Sequence, residues 1–365
     1  MSLTATDKKL KGSELVVQKN KKIRIDSLDW LRGLMAILIM LYHFSNYAFF
    51  ELDASSLLGK FSIYAVSIFF VISGLSIAVV YNSFINSIRS AWFFLVRRIF
   101  RIWPLLWACI ALGTIGNTLQ NLNIDWWKIF LNVTTLFGIL KPDAYINTGA
   151  WSIGNEMVFY LLTPILIIIF NKKRWLGNFI TLSSCAVFLL FAFSLLKPDI
   201  SLNDQWGTYI NPLNNLFFYI AGIAIYYNLK NINLRKYVYV TLLLIPIFFF
   251  IFYPIIGDRS VLTIGIPRIL FSLMSILLVV AFYKFPFTLP IIMSYPLKQF
   301  GIATYGVYLL HPIIFQSIQF LLPQLKTYPF ILFASSIILT IVLALLSYKF
   351  FEQPLMRIGK KITTV

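Results

Sequence analysis

The sequence predicts an all-α integral membrane protein, a polytopic bundle of about ten transmembrane helices. Of its 365 residues 59% are hydrophobic and only 12% are charged, whereas soluble domains are about one quarter charged. Apolar runs of about twenty residues, the length that crosses a bilayer as a helix, recur along nearly the whole chain. A single globular core could not bury so many apolar residues.

Ten segments have the length and composition of a span. They are residues 28–50, 60–82, 100–119, 148–170, 178–196, 211–229, 237–256, 262–283, 299–322 and 327–350. The stretch 125–140 is apolar but short, which favours an interfacial or re-entrant segment, with an eleventh span as the alternative. The predicted transmembrane domain covers 25–358, between a flexible basic cytoplasmic tail at 1–24 and a short cytoplasmic tail at 359–365.

The basic residues predict how the bundle is oriented. Loops rich in lysine and arginine alternate with loops that are acidic or near neutral, so the positive-inside rule puts both termini in the cytoplasm. The net charge of +18 also favours contact with anionic lipids. Nucleic-acid binding is not expected, because the basic residues are scattered over separate loops. Cys109 and Cys185 fall in predicted spans, so neither a disulfide nor a metal site is expected.

The first span carries an ionisable face. Arg32 and His43 are eleven residues apart, about three helical turns, so they share one face and lie about 16 Å apart along the axis. Asp29 lies on or beside this face. Ionisable side chains inside a membrane are energetically expensive and mark functional sites, so His43 is a candidate base. The alternatives are an Arg32 side chain that snorkels to the interface and a His43 that serves packing alone.

The fourth span contains a polar stripe. Ser152, Glu156 and Tyr160 recur every fourth residue on one helix face. Glu156 is the only acid in the interior of a predicted span, and a buried carboxylate favours a cationic partner. We expect that partner to be His43 or His311. The alternative is a carboxyl group that only braces helix packing.

The second histidine of the chain lies in the ninth span. His311 follows Tyr308 on one face, and Pro312 lacks the amide hydrogen that would bond the Tyr308 carbonyl. That opening could hold a water molecule or a substrate hydroxyl. The alternative is a simple kink in which His311 satisfies the freed backbone.

Three arginines follow the second span. Arg97, Arg98 and Arg101 lie at the predicted cytoplasmic end of the third span, and guanidinium groups suit phosphates because they present a rigid fork of donors. The alternative is that they only orient the chain and bind lipid headgroups. Ser73 and Gly74 in the second span are typical of close helix contacts.

Six separated motifs resemble those of the membrane-bound acyltransferase-3 family, in that family's order. They are Leu28-Asp29-x-Leu31-Arg32-Gly33 with Arg32-x10-His43; Phe69-Phe70-x-x-Ser73-Gly74; Arg97-Arg98-x-x-Arg101-Ile102-x-Pro104; Trp151-Ser152-x-x-x-Glu156-x-x-Phe159-Tyr160-x-x-x-Pro164; Tyr305-x-x-Tyr308-Leu309-x-His311; and Glu352-x-Pro354. The stretch from about 175 to 295 carries none of them and is a candidate for acceptor specificity.

The resemblance implies transfer of an acyl group, usually acetyl from acetyl-CoA, to a hydroxyl of a cell-surface sugar or lipid-linked saccharide. The donor is a co-substrate, and no permanently bound cofactor is expected. The protein is expected in the cytoplasmic (plasma) membrane. We expect His43 to act as general base and Glu156 or His311 to orient it or bind acceptor. Arg97, Arg98 and Arg101, with Arg32, would hold the CoA phosphates. The expected supporting side chains are Asp29, Ser73, Trp151, Ser152, Tyr160 and Tyr308.

Two other classes of protein remain open at this point. A transporter or flippase for a lipid-linked glycan would also use intramembrane His, Glu and aromatic residues, but it predicts internal repeats that this sequence does not show. A proton-coupled channel would be compatible with Glu156 and with the proline-disrupted ninth span. Within the acyltransferase reading, direct transfer and an acyl-histidine relay are both compatible with the sequence.

Overall fold

The computed structural model describes residues 25–364, and every regular element in that range is helical, as predicted. The α-helices are α1 (Asp26–Ala48), α2 (Leu57–Tyr81), α3 (Ile88–Leu119), α4 (Trp126–Val133), α5 (Phe137–Leu140), α6 (Trp151–Lys172), α7 (Arg174–Leu190), α8 (Trp206–Tyr209), α9 (Pro212–Leu229), α10 (Lys236–Phe252), α11 (Gly265–Tyr283), α12 (Ile291–Leu321), α13 (Pro329–Ser347) and α14 (Gln353–Ile362). Short 3-10 turns occupy Arg259–Leu262 and Pro323–Thr327, and π-turns extend α7 over Phe191–Leu195 and α13 over Tyr348–Glu352. The predicted tail at 1–24 lies outside the described residues.

Seven helical segments are long and apolar enough to cross a membrane. They are Asp26–Ala48, Leu57–Tyr81, Ile88–Leu119, Trp151–Lys172, Arg174–Leu195, Gly265–Tyr283 and Pro329–Ile362. The other three predicted spans are also helical, as α9, α10 and α12, so the count of ten and the cytoplasmic termini stay predictions. The stretch 125–140 forms helices of eight and four residues, too short to cross a hydrocarbon core about 30 Å thick.

Helix α3 begins at Ile88, twelve residues before the predicted start of the third span. Ser87 and Ser90 form a capping box that satisfies the first amides, and arginine is a good helix former. Arg97, Arg98 and Arg101 therefore lie inside the helix and not before it. Arg97 and Arg101 consequently lie on nearly the same face of α3, one turn apart, whereas Arg98 is rotated by about 100° from Arg97.

The helix ends form two faces of the bundle. The basic face joins the start of α1 to the end of α11 and the first half of α12: Asp26 pairs with Lys298 at 3.1 Å and Ser27 donates to the Phe282 carbonyl. The opposite face joins the α1–α2 loop to the loop after α10, where the Ala54 amide donates to the Gly257 carbonyl at 3.1 Å. Basic side chains of the basic face include Arg89, Lys172, Lys173, Arg174, Lys230, Arg235, Lys236, Lys284, Lys298, Arg357, Lys360 and Lys361.

Helices α1 and α12 approach each other unusually closely. A Cβ atom at Gly301 would lie 2.2 Å from the Asp29 carbonyl oxygen, and one at Gly33 would lie 2.9 Å from the Gly301 nitrogen. Only glycine permits this backbone contact, which is the usual way that membrane helices pack tightly. The contact lies ten residues before His43 on α1 and ten residues before His311 on α12, so it fixes a register in which the two histidines come level with each other.

Candidate active site

The two histidines of the chain are neighbours, although 268 positions separate them in sequence. Their ring centroids lie 5.2 Å apart at an interplanar angle of 34°. His311 is fully buried, whereas His43 is half-buried. Two ionisable rings in contact inside a membrane bundle are the arrangement expected of a functional centre.

The backbone of α12 sets the tautomer of His311. Its Nδ1 lies 3.0 Å from the Val307 carbonyl oxygen, and because a carbonyl can only accept, Nδ1 carries the hydrogen. The lone pair of the neutral ring is therefore on Nε2, which is buried and has no hydrogen-bond partner among residues 25–364. Buried polar atoms are nearly always paired, so this unpaired nitrogen marks a place where a reacting hydrogen could bind.

A tyrosine and a serine brace the same turn of α12. The Tyr308 hydroxyl donates to the Gly149 carbonyl at 2.8 Å and lies 2.9 Å from Ser152 Oγ. Gly149 has φ +85°, a left-handed conformation that favours glycine. The Tyr308 and His311 rings lie 6.2 Å apart. Ser152 and Tyr308, both predicted as support, thus hold the histidine turn against the start of α6.

Trp151 supports the site from another side. Its buried ring packs edge-on against Phe70 and against Trp206 and Tyr209 of α8. These contacts fix the start of α6 between α2 and the loop elements of the opposite face. The structure thus gives Trp151 packing contacts, and its supporting role in the site stays a prediction.

A second polar cluster occupies the half of the bundle nearer the basic face. Arg32 donates to Asp29 at 3.0 Å, to Ser76 Oγ at 2.7 Å and to the Ile72 carbonyl at 3.5 Å. Its guanidinium is thus paired with an acid of its own helix and tied to α2. We use the name arginine cluster for the set Arg32, Asp29, Ser76, Ser73, Glu156, Tyr160 and Arg98.

Glu156 belongs to the arginine cluster. We expected it to pair with His43 or His311, but its hydrogen bonds within the described residues are to other side chains. It accepts hydrogen bonds from the Tyr160 hydroxyl and from Ser73 Oγ, the latter at 2.6 Å. Arg98 interacts with it through its charge. The stripe on α6 therefore splits: Ser152 faces α12, while Glu156 and Tyr160, one and two turns further along, face α2 and α3.

The three arginines of α3 have three different environments. Arg97 donates to Thr363 Oγ1 at 2.7 Å and to the Thr363 carbonyl at 2.9 Å, which ties the C-terminal helix to α3. Arg98 donates to the Tyr81 hydroxyl at 2.8 Å, with its guanidinium over the Tyr81 and Tyr160 rings. Arg101 is exposed. Of the three, Arg101 is the guanidinium best able to meet a ligand.

The charge of Arg101 acts on several helices at once. It interacts electrostatically with Arg32 of α1, Tyr160 of α6 and Glu352 of the π-turn after α13. The exposed Arg101 side chain therefore lies close to the arginine cluster and to the end of the last spanning segment.

Two of the buried charged residues were given no role from the sequence: Glu352, which was noted only as part of a motif, and Arg268. Glu352 is 4% exposed inside the last spanning segment, so the expectation that Glu156 is the only acid within a span is wrong. Arg268 of α11 is 3% exposed, stacks on Phe188 at 4.4 Å and donates to the Thr263 carbonyl and to Asn214. Its position inside a predicted span was a signal that could have singled it out.

A family model described as an acyltransferase domain, that of the acyltransferase-3 family, matches residues 25–349. The match includes both histidines, the arginine cluster and the three arginines of α3. The chain belongs to the acyltransferase-3 family. Together with the seven segments able to span a bilayer, membership of this membrane family makes it an integral membrane protein.

Named relatives are similar over nearly the whole of this acyltransferase-3 chain. The peptidoglycan O-acetyltransferase OatA of Listeria monocytogenes is 26% identical over 92% of the chain and 56% of the relative. A Staphylococcus aureus protein provisionally named an O-acetyltransferase is 26% identical over 94% of the chain and 59% of the relative. The chain therefore spans somewhat more than half the length of these relatives.

Proposed function

We propose that the chain is an O-acetyltransferase of the plasma membrane that moves an acetyl group from cytoplasmic acetyl-CoA to a hydroxyl of a cell-envelope glycan. The observation that carries this proposal is the contact between the half-buried His43 and the buried His311, whose Nε2 lone pair has no partner among the described residues. Family membership and the names of the O-acetyltransferase relatives supply the reaction class.

The histidine pair has the chemistry that acyl transfer to a hydroxyl requires. His43, half-buried and so open to a substrate, takes the proton from the acceptor hydroxyl as general base. The oxygen then attacks the thioester carbonyl, an O-acyl bond forms, and the carbon–sulfur bond breaks. The CoA sulfur leaves as thiolate and receives the proton from the imidazolium. His311 accepts a hydrogen bond at Nε2 and so positions His43 or the acceptor hydroxyl.

The donor enters from the basic face in this scheme. The exposed Arg101 meets the CoA phosphates first, and guanidinium is the side chain best suited to bind them. The thioester then reaches His43 along the Arg32 face of α1, a distance of about 16 Å along the helix. That span is comparable to an extended pantetheine arm. Arg97 and Arg98, tied to Thr363 and Tyr81, shape the entrance and add positive charge.

Transfer from labelled acetyl-CoA tests the proposed reaction. Purified protein in lipid vesicles receives acetyl-CoA carrying carbon-14 in the acetyl group, and both CoA release and label on added envelope glycan are measured. We expect glycan-dependent CoA release in the wild type and a loss of at least about a hundredfold in His43→Asn, in line with removal of a general base.

Ser45→Ala is the matched control for this experiment. Ser45 lies two residues from His43 on the same turn of α1 and is half-buried, so its loss tests for general damage to the helix. It should retain wild-type turnover. Transfer that survives in His43→Asn contradicts the catalytic role, and glycan movement without any CoA release would indicate a flippase instead.

A further inference from the structure

Another arginine, Arg259, lies near the histidine pair, on the opposite face of the bundle. Arg259 begins the 3-10 turn Arg259–Leu262, and its guanidinium lies 5.5 Å from the centroid of the Tyr42 ring. Tyr42 in turn packs edge-on against His43 at 5.2 Å. The Arg259 charge is close enough to interact with His43, so this cation belongs to the outer rim of the candidate active site.

The turn that carries Arg259 is held rigidly. Asp258 accepts hydrogen bonds from the amides of Ser260 and Leu202, both at 2.8 Å, which pins two loops together. Burial alone would raise the pKa of the Asp258 carboxyl, but these hydrogen bonds outweigh it and hold that pKa below its ordinary value. The carboxylate therefore stays ionised at neutral pH, and its acceptor oxygens keep the turn in place.

The buried Arg268 buttresses the same turn from below. It donates to the Thr263 carbonyl at 2.9 Å, and the Thr263 amide bonds back to the Ser260 carbonyl at 2.8 Å. A charged side chain 3% exposed in a spanning helix is an expensive way to hold a loop. Asp258 and Arg268 thus both hold the turn that positions Arg259.

The Arg259 charge has no close side-chain ion pair among the described residues. The ionised Asp258 beside it in the chain interacts with it electrostatically, but the Asp258 Oδ1 atom is bonded to backbone amides. Its side chain is 13% exposed, and its carboxylate contact is Glu51 at 3.8 Å, on a side chain that is 72% exposed. Asn203 Oδ1 accepts a further hydrogen bond at 3.3 Å. A solvated, distant carboxylate gives a weak ion pair, whereas a guanidinium fork held in a half-buried rim binds an oxyanion in a bidentate manner.

We propose that Arg259 is an acceptor-specificity residue that binds an anionic group of the acceptor saccharide and displaces Glu51. The proposal rests on the acetyl transfer proposed above. The bound group is a carboxylate or a phosphate a short distance from the hydroxyl that His43 activates. The donor does not compete for this site, because Arg101 and the arginine cluster lie toward the basic face.

Binding of three labelled probes tests the proposal without requiring turnover. The probes are a tritiated peptidoglycan disaccharide with its carboxylate, the same disaccharide with the carboxyl reduced to a neutral alcohol, and a phosphorylated neutral disaccharide. Dissociation constants are measured with the full chain in detergent. We expect the wild type to bind one anionic probe about tenfold more tightly than the neutral one.

Four variants test whether Arg259 causes the preference for the anionic probe. Arg259→Gln should abolish the preference for the anionic probe, and Arg259→Lys should retain part of it, because charge remains but the fork is lost. Glu51→Gln should increase the preference by removing the competing carboxylate. Arg235→Gln, at an arginine of the basic face, should behave like the wild type. Unchanged elution volume and unfolding temperature show that each variant is folded.

The outcomes are distinguishable. A preference for the carboxylate probe that Arg259→Gln removes supports the proposal and names the group, and the phosphorylated probe does the same for a phosphate. Equal binding of all three probes by the wild type, or a preference that survives in Arg259→Gln, overturns it. If the preference behaves as expected but vesicles show no transfer from acetyl-CoA, the proposed function fails while the anionic site stands.

Discussion

The arginine cluster and the histidine pair lie on the same two-sided bundle but differ in how their polar groups are engaged. Arg32, Glu156 and Arg98 each have a hydrogen-bond partner on a neighbouring helix, although Arg98 Nε, which can only donate, is buried without one among the described residues. His311 Nε2 also has no partner among the described residues, and the chief neighbours of His43 are rings. A cluster bonded across several helices stabilises their packing and sets a local charge, whereas a ring nitrogen with an unused lone pair is available as a base.

This difference assigns separate tasks to the two regions. Variants in the histidine pair should reduce kcat, because a proton-transfer step is lost. Variants at Arg101 should raise the KM for acetyl-CoA, because only donor binding is weakened. The following predictions test that division, beginning with the largest expected effect.

His311→Asn should lower kcat by about a hundredfold or more. The shorter amide can still donate to the Val307 carbonyl, so the helix turn is kept, but the atom at the Nε2 position is lost. His311→Gln, which places an amide atom nearer that position, should lose less. CoA release at saturating substrates is the measurement. Equal, wild-type turnover in both variants would show that the buried lone pair plays no part.

Gly301→Ala should separate the two histidines and lower both stability and turnover. The added Cβ would meet the Asp29 carbonyl at 2.2 Å, so α1 and α12 must move apart, and overpacking of this kind costs about 1–3 kcal/mol. Thermal unfolding in detergent and CoA release measure the two effects. Gly116→Ala on α3 is the control, because its Cβ would meet nothing within 4 Å. An undisturbed Gly301→Ala protein would mean that the close helix contact is not what holds the pair.

Arg101→Ala should raise the KM for acetyl-CoA about tenfold and change kcat little, since one charge-assisted contact to phosphate is worth about 1.5–3 kcal/mol at most. Arg97→Ala is the matched control on the same helix. Its guanidinium is engaged by Thr363, so its KM should change less than that of Arg101→Ala. A larger increase in the KM for acetyl-CoA in Arg97→Ala than in Arg101→Ala would indicate that the donor binds near the C-terminal helix.

Glu156→Gln should have the smallest effect on turnover and a measurable one on stability. The amide keeps the shape and accepts from Tyr160 or Ser73, but the charge near Arg98 is lost. We expect a loss of about 1–3 kcal/mol in unfolding free energy and no more than a few-fold change in kcat. Asp143→Asn, at an exposed acid of the opposite face, should change neither. A hundredfold loss of kcat in Glu156→Gln would show that Glu156 takes part in catalysis and would contradict the separate tasks of the two regions.

The sequence predicted the helical membrane class and singled out both histidines as candidates, because apolar run length and rare ionisable residues are local signals. The structure places the two histidines side by side, and their role stays a prediction. It did not predict where Glu156 points. Helical spacing puts Ser152 and Glu156 on one stripe, but neighbouring helices cross α6 at an angle and meet different turns of that stripe. Which helix lies opposite each turn is decided by contacts such as Gly33 with Gly301, which no local pattern specifies.

The arginines show the same limit. Arg97, Arg98 and Arg101 form one motif along the chain, yet Arg97 bonds to Thr363, Arg98 bonds to Tyr81 and Arg101 is exposed. Rotation about the helix separates Arg98 from Arg97, but Arg97 and Arg101 share nearly one face, so the tertiary contact with Thr363 is what distinguishes them. Arg259 and Arg268 fell between recognised motifs. The position of Arg268 inside a predicted span was a local signal, but the sequence does not show that the turn it holds, which carries Arg259, lies beside Tyr42 and His43.

A donor-concentration series with two variants tests the division of tasks most directly. Initial rates of CoA release are measured for His43→Asn and Arg101→Ala from low to saturating acetyl-CoA at fixed glycan. We predict that Arg101→Ala recovers to within about twofold of wild-type turnover as the acetyl-CoA concentration rises. His43→Asn should stay at least about a hundredfold slower at every concentration. Recovery of His43→Asn at high donor, or a persistent hundredfold loss in Arg101→Ala, would contradict it.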